Sequence, residues 1–214
     1  MFPAQVSAIL ERLEQAGFAA YAVGGCVRDT LLGRVPQDWD VATSARPEQT
    51  AALFAGRSIP TGLQHGTVTV RQEGLSVEVT TFRADGPYSD HRRPDAVYFS
   101  DSLAEDLCRR DLTVNAMAMD RRGVLTDLHG GREDLRRGLL RCVGEPDRRF
   151  DEDALRIMRT LRFASVLGFT VEERTAAALH RRAPLLGSIA AERLLSEMDR
   201  LLCGRYVLCL LYTS

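Results

Sequence analysis

The sequence predicts an α+β protein, a head of mixed strands and helices followed by an all-helical second domain. Three observations lead there. Strand patterns and tight turns fill the chain as far as Gly138, and helical patterns fill what comes after. Runs of strands followed by runs of helices mark this class. A glycine pair, Gly24-Gly25, opens a short helix, and two carboxylates, Asp38 and Asp40, follow one residue apart. With 214 residues there is material for one good core and a second, smaller one. The expected division is a head over residues 1–138, a helical domain over 139–204, and a tail over 205–214 without readable periodicity.

The first helix is expected over Pro3–Ala16, with Val6, Ile9, Leu10 and Leu13 on one stripe. Phe18–Val23 reads as a strand that stops at the glycine pair. Cys26–Leu32 reads as a helix closed by Gly33, a residue typical just past a helix end. Gln37–Ala42 is a strand carrying both carboxylates, and Pro47 opens a helix reaching Phe54. Thr67–Gln72 and Leu75–Phe82 form a hairpin about Glu73-Gly74. Arg83–Asp95 has Gly, Pro, Asp and Arg without periodicity and reads as a mobile loop before a short strand, Ala96–Phe99. Ser102 and Glu105 make a capping box for the helix leading to Arg109-Arg110-Asp111. Helices are then expected over Asp151–Leu167, Val171–Ala183 and Ser188–Leu202.

Bulk composition narrows the function. Hydrophobic content is 45%, charged content 27% and net charge −1. No overall positive field announces a nucleic-acid partner, so any such partner is met by local patches. All 28 basic residues are arginine, which gives every cationic contact the geometry of a planar fork. Five scattered cysteines (26, 108, 142, 203 and 209) lack CxxC spacing and indicate neither a disulfide framework nor zinc. No signal peptide or membrane-length apolar run is read, so a cytoplasmic protein is expected, with no membrane partner and no protein partner evident.

The chemistry begins at the carboxylates. Residues i and i+2 of a strand point to one side, so Asp38 and Asp40 offer two hard oxygen ligands to one patch of space, as Mg²⁺ requires. Carboxylates beside a phosphate-receiving turn point to metal-assisted phosphoryl or nucleotidyl transfer. Gly24 and Gly25 leave the main chain bare at a helix start, where phosphate is attracted, and Arg28 stands one turn in. Glu78 is the candidate third carboxylate, on the polar face of a neighbouring strand. The same alternation equally describes a solvated face. His65 and His129 have no ligand partners at metal spacing and are given no role.

The segments GGCVRDTLLG…PQDWDVATSA, GLQHGTVTV, EDLCRRDLTVNAMA and EDALRIMRTLRFA resemble the bacterial class II tRNA nucleotidyltransferases, the CCA-adding enzymes, of which bacterial poly(A) polymerases are close relatives. The likeness runs from about residue 18 to about residue 200. It implies a polymerase-β-like nucleotidyltransferase head, a mixed sheet flanked by helices, and a helical neck. It also implies an enzyme that uses Mg²⁺ held by Asp38 and Asp40 to add C, C and A from CTP and ATP to the 3′ end of tRNA, releasing pyrophosphate. Gly25 and Arg28 would receive the triphosphate, Arg110 would contact phosphate or sugar, and Asp111, with Asn115 one turn on, would accept from a ribose hydroxyl.

Asp153 and Arg156 match the motif that selects the base, and at i and i+3 of one helix they would be neighbours. Cytosine and adenine each offer an amino donor beside a ring-nitrogen acceptor, which a carboxylate next to a guanidinium satisfies. Guanine and uracil reverse both contacts and are refused. Arg159 would steady the triphosphate or the templating pair. Arg162, nine residues from Asp153, is half a turn out of phase on an ideal helix and is carried over from the family pattern.

The loop ending His91-Arg92-Arg93-Pro94 sits where the family has a flexible element for switching from C to A, here full length, and Asp127–Gly131 resembles its hinge-like segment. Leu112 stands where the family more often has Phe. Family members also continue into body and tail domains beyond the point where this chain ends. The readings left beside CCA addition are a poly(A) polymerase and a shortened form that binds nucleotide or acceptor stem without full turnover. Leu63–Val68 favours the CCA reading over the poly(A) one.

Overall fold

The computed structural model describes residues 2–86 and 97–208. The chain divides into two compact units. The first comprises Met1–Asp85, Val97–Arg110 and Asn115–His129, and the second Gly86–Ala96, Asp111–Val114 and Gly130–Ser214.

In the first unit the order is α1 (Ala4–Gln15), β1 (Ala20–Val23), α2 (Gly25–Leu31), β2 (Trp39–Thr43), α3 (Pro47–Leu53), β3 (Ser58–Gly62), β4 (Thr67–Gln72), β5 (Leu75–Thr81), β6 (Arg83–Asp85), β7 (Val97–Phe99), α4 (Leu103–Cys108), β8 (Met117–Met119) and β9 (Leu125–Asp127). Seven strands form a mixed sheet in the order β3-β4-β5-β2-β1-β8-β9. The helix α1 buries the stripe Val6, Ile9, Leu10 and Leu13, and its i, i+3, i+4, i+7 spacing is the reason it is helical. In the β4–β5 hairpin Val68, Val70, Val77 and Val79 are all buried. Glu73 and Gly74 both take positive φ, 46° and 82°, as a two-residue hairpin turn requires. A core cluster of Val23, Ala42, Phe82, Leu107 and Ala118 ties β1, β2, β8 and α4 together beside the glycine turn.

The second unit contains α5 (Gly131–Arg137), β10 (Leu139–Leu140), α6 (Pro146–Glu152), α7 (Leu155–Leu167), β11 (Thr170–Val171), α8 (Glu173–Arg182), a 3₁₀ turn (Ala183–Ser188) and α9 (Ala191–Leu202). Ala154, Leu155, Met158, Ile189 and Leu201 form its core between α7 and α9. Among the described residues no helix is long and apolar enough to cross a membrane.

Several expectations are corrected. Asp38 lies in a bend before β2, so only Asp40 is on the strand. The expected helix Asp151–Leu167 is two helices broken at Asp153, whose backbone is extended (φ −141°, ψ 104°). Its carboxylate accepts from the Leu155 amide at 3.1 Å, an alternative to helix continuation that Asp side chains readily offer. The capping box at α4 is half made. Ser102 Oγ accepts from the Glu105 amide at 3.4 Å, but the Glu105 carboxylate accepts from the Ser100 hydroxyl instead of reaching back. The stretch read as an aperiodic loop, Arg83–Asp95, begins in a strand, β6, which pairs with β7 inside the expected strand Ala96–Phe99. The remainder of that loop, including His91, Arg92, Arg93 and Pro94, lies outside the described residues, as do residues 209–214 of the tail. The strand β3 is not legible in the sequence because Pro60 and its exposed neighbours give no alternation, which suits an edge strand. The strand β8 is hidden for the opposite reason, since its three residues are all buried.

Candidate active site

In the first unit the site is built where β1 ends and β2 runs beside it. Gly24 has φ 75° and ψ −132°, a conformation only glycine adopts without strain. A Cβ there would stand 3.0 Å from Arg110 Nη1 and 3.9 Å from Asp40 Oδ2. The absent side chain is what lets a guanidinium and a carboxylate close on the same turn.

Asp40 and Glu78 are register partners in the parallel pairing of β2 with β5. Burial pushes the Asp40 carboxyl up to about 6, the negative charge of Glu78 pushes the same way, Arg110 opposes, and Asp38 adds a further upward push. Asp40 thus senses both Asp38 and Glu78, with Arg110 as the nearby cation. A carboxylate crowded by like charges is relieved by a hard cation, so the oxygen donors here fit a divalent ion of the Mg²⁺ class. Among the described residues no group of three or more His, Cys, Asp or Glu is gathered tightly enough to hold a metal as it stands.

Arg28 is placed differently from the expectation of a phosphate fork. It is buried, donates from Nε and Nη2 to the two carboxylate oxygens of Asp29 at 2.9 and 3.0 Å, and donates from Nη1 to Asn115 Oδ1 at 2.7 Å. Its Nη2 would be 3.6 Å from a Cβ on Gly25, so it backs the glycine turn from inside. Arg110 donates from Nη2 to Asp106 Oδ2 at 2.9 Å.

In the second unit Arg156, Arg159 and Arg162 lie on α7, Asp153 in the break between α6 and α7, and Asp111 ahead of α5. Asp111 receives Arg159 Nε at 2.8 Å and Nη2 at 2.7 Å on one oxygen and the Leu112 amide at 2.8 Å on the other. Burial raises its carboxyl, but the charges and hydrogen bonds of Arg159, with Arg156 behind, outweigh this and hold it well below the usual carboxylate range. Asp153 is not on a helix with Arg156, as expected, yet remains its electrostatic neighbour. Burial pushes Asp153 up, and Arg193, Arg156 and Arg159 oppose. Arg193 Nη2 stands 3.7 Å from Asp153 Oδ2. Arg156 is buried and donates from Nη1 to Glu152 at 3.2 Å.

Arg162 is brought to the same side as Arg159, since both lie over the Phe163 ring, at 4.0 and 5.8 Å from its centre. Its Nε donates to Glu197 Oε2 at 2.5 Å. The expected half-turn offset from Asp153 does not arise, because Asp153 lies outside the helix that carries Arg162. Sequence reasoning missed Asp106, Arg193 and Glu197. The i, i+4 spacing of Asp106 with Arg110 was a readable signal, whereas the pairings made by α9 are tertiary and had none.

Residues 20–141 match the family model described as "Poly A polymerase head domain", and residues 168–208 match "Probable RNA and SrmB- binding site of polymerase A". The CCA-adding enzyme of Geobacillus kaustophilus is 52% identical over 95% of this chain and 50% of its own length. That of Lactobacillus delbrueckii subsp. bulgaricus is 52% identical over 94% and 50%. The crystal structure of the Bacillus stearothermophilus CCA-adding enzyme in complex with CTP superposes with a TM-score of 0.91 at 47% identity, covering 98% of this chain and 51% of that one. A tRNA nucleotidyltransferase complexed with a primer tRNA and an incoming ATP analog gives a TM-score of 0.77 at 31% identity, covering 96% and 59%. The chain spans about half the length of the relatives it matches.

Proposed function

The chain belongs to the tRNA nucleotidyltransferase and poly(A) polymerase family, and from that premise we propose that it adds C, C and A to the 3′ end of tRNA from CTP and ATP, releasing pyrophosphate. The observation that carries this reading is the pairing of Asp40 with Glu78 beside Arg110 and the Gly24 turn. The relatives named CCA-adding enzymes, and the structure of one with CTP, supply the substrate class.

Asp38 and Asp40 would hold Mg²⁺, with Glu78 as the third carboxylate. Such an ion would supply charge that lowers the pKa of the attacking hydroxyl and offsets the charge of the leaving pyrophosphate. The protein's own part is positioning. Arg110 meets the phosphates or sugar over Gly24, and the glycine turn of Gly24 and Gly25 lets the phosphates approach the main chain. Arg28 keeps that turn in place from behind. In the second unit Asp153 and Arg156 choose the base by accepting its amino group and donating to its ring nitrogen. Asp111, aligned by Arg159, serves the ribose, and Arg162, braced by Glu197, completes the cationic face. A cytoplasmic location goes with tRNA and nucleoside triphosphates as substrates, and the domain division we favour remains a head over 1–138 and a neck over 139–204.

The test is incubation of the protein with tRNA ending before CCA and each labelled nucleoside triphosphate in turn. CTP should be incorporated first and ATP only after two C residues, with GTP and UTP refused. Long A tracts without C incorporation would assign the poly(A) reaction instead. Nucleotide binding without any incorporation would make this form a binder.

A further inference from the structure

Asp106 has no accessible surface, yet two arginines hold its carboxyl below the ordinary range against the opposing effect of burial. One oxygen, Oδ1, accepts from Arg109 Nε at 3.0 Å and Nη2 at 2.7 Å. The other, Oδ2, accepts from Arg110 Nη2 at 2.9 Å. Each arginine therefore has an oxygen of its own.

Arg110 leads from this buried carboxylate to the glycine turn. Its Nη1 is the atom that a Cβ on Gly24 would meet at 3.0 Å, and its charge is felt by Asp40. Its Nε is buried without a hydrogen-bond partner, so that nitrogen does not fix the fork. An arginine side chain has several torsions and considerable rotamer entropy. A carboxylate accepting at one end of the guanidinium removes most of that freedom and aims the other end.

We propose that Asp106 is the positioning residue for Arg110, holding its guanidinium against Gly24 and beside Asp40, and that through Arg110 it sets the affinity for an incoming nucleoside triphosphate. This rests on the nucleotidyl-transfer reading above. Asp106 cannot touch a nucleotide itself, because it is wholly enclosed. An asparagine in its place offers one acceptor oxygen instead of two, so one arginine must lose its anchor.

The experiment is a double-mutant cycle on affinity for CTP and for ATP, measured by titration calorimetry on the 214-residue chain with Mg²⁺ present. Asp106→Asn should weaken both nucleotides about tenfold, the scale of one charged hydrogen bond, and Arg110→Ala should weaken them at least as much. The double variant should bind no more weakly than Arg110→Ala alone, and Asp106→Glu should recover part of the loss. Additive losses in the double variant would overturn the proposal. So would a lowered melting temperature for Asp106→Asn with unchanged affinity. If Asp106→Asn does not fold, the same cycle is run with Asp106→Glu, which keeps the charge but displaces it by one methylene. A loss that disappears in the Arg110→Ala background then supports the proposal, and additive losses again overturn it. Wild-type protein that binds neither nucleotide would remove the functional reading and this proposal with it. Wild-type binding left unchanged by Asp106→Asn would remove this proposal alone.

Discussion

Asp40 and Glu78 face each other in register across the parallel strands β2 and β5, and the charge of Glu78 raises the cost of charging Asp40. Two acids so placed on neighbouring strands repel each other, and a divalent cation held by the carboxylates would relieve that repulsion. That relationship leads to the first prediction. Asp40→Ala or Asp38→Ala should cut nucleotide addition by orders of magnitude, because loss of a metal ligand removes several kcal/mol of charge stabilisation. Circular dichroism should be unchanged, since neither residue is an apolar core contact. Glu78→Ala should lose less. Wild-type rates of CTP incorporation in the Asp38 or Asp40 variant would show that the wrong carboxylates have been named.

Base choice is the second. Asp153→Ala with Arg156→Ala removes the paired acceptor and donor while leaving the first unit's carboxylates and glycine turn in place. Each polar contact left unmade is worth roughly 1–3 kcal/mol, so discrimination against GTP and UTP should erode by a few powers of ten while slow incorporation persists. Loss of the Asp153 hydrogen bond to the Leu155 amide should also cost about 1 kcal/mol of stability, the usual net worth of one hydrogen bond. Arg159→Ala should lower the rate for CTP and ATP together. Competition assays with all four nucleotides read this out, and full preference for CTP and ATP in the double variant would place base reading elsewhere.

The third concerns acid. Asp111 has a carboxyl held well below its ordinary range by Arg159 against the opposing effect of burial. A carboxylate depressed in the folded state contributes stability at pH values above its unfolded pKa and loses it as the pH falls toward the folded value. Arg159 is more than a third exposed (37%), so solvent screening holds the pair's worth to about 1 kcal/mol. Asp111→Asn should therefore lower the melting temperature at neutral pH, and the gap to wild type should narrow below about pH 4, the unfolded carboxylate pKa. A gap that stays constant down to about pH 2, well below that unfolded value, would contradict this assignment.

Arg28 supplies the fourth. Asn115→Ala takes away an acceptor 2.7 Å from its buried Nη1 and should cost roughly 1–3 kcal/mol in denaturant unfolding, with nucleotide affinity falling as the glycine turn loosens. Unfolding midpoints matching wild type would show that the contact contributes nothing to holding the turn.

Much of this was legible in the sequence where local chemistry decides structure. The stripe of α1, the β4–β5 hairpin with its Glu73-Gly74 turn, and proline at the start of α3 all follow from period and turn residues. The Gly24 turn and the strand of Asp40 were legible for the same reason, since a glycine turn and a strand pattern are local rules, whereas Asp38 lies in a bend that alternation did not show. Reading failed where a side chain competed with the backbone or a partner lay far away in sequence. Asp153 breaks a helical pattern by accepting the Leu155 amide, and periodicity carries no sign of that. The burial of Arg28 against Asn115 was not legible, because that partner stands 87 positions away in the chain. Arg193 and Glu197 lie in a stretch read only as helix, and the packing of α9 against α7 brings them to Asp153 and Arg162.

The most direct test of CCA addition is to sequence the 3′ ends of a tRNA transcript ending before CCA after incubation with this protein, Mg²⁺ and all four nucleoside triphosphates. The ends should stop at CCA, and such ends should be absent when Asp40→Ala replaces the wild type. Homopolymeric A ends, or additions that include G and U as readily as C, would contradict it.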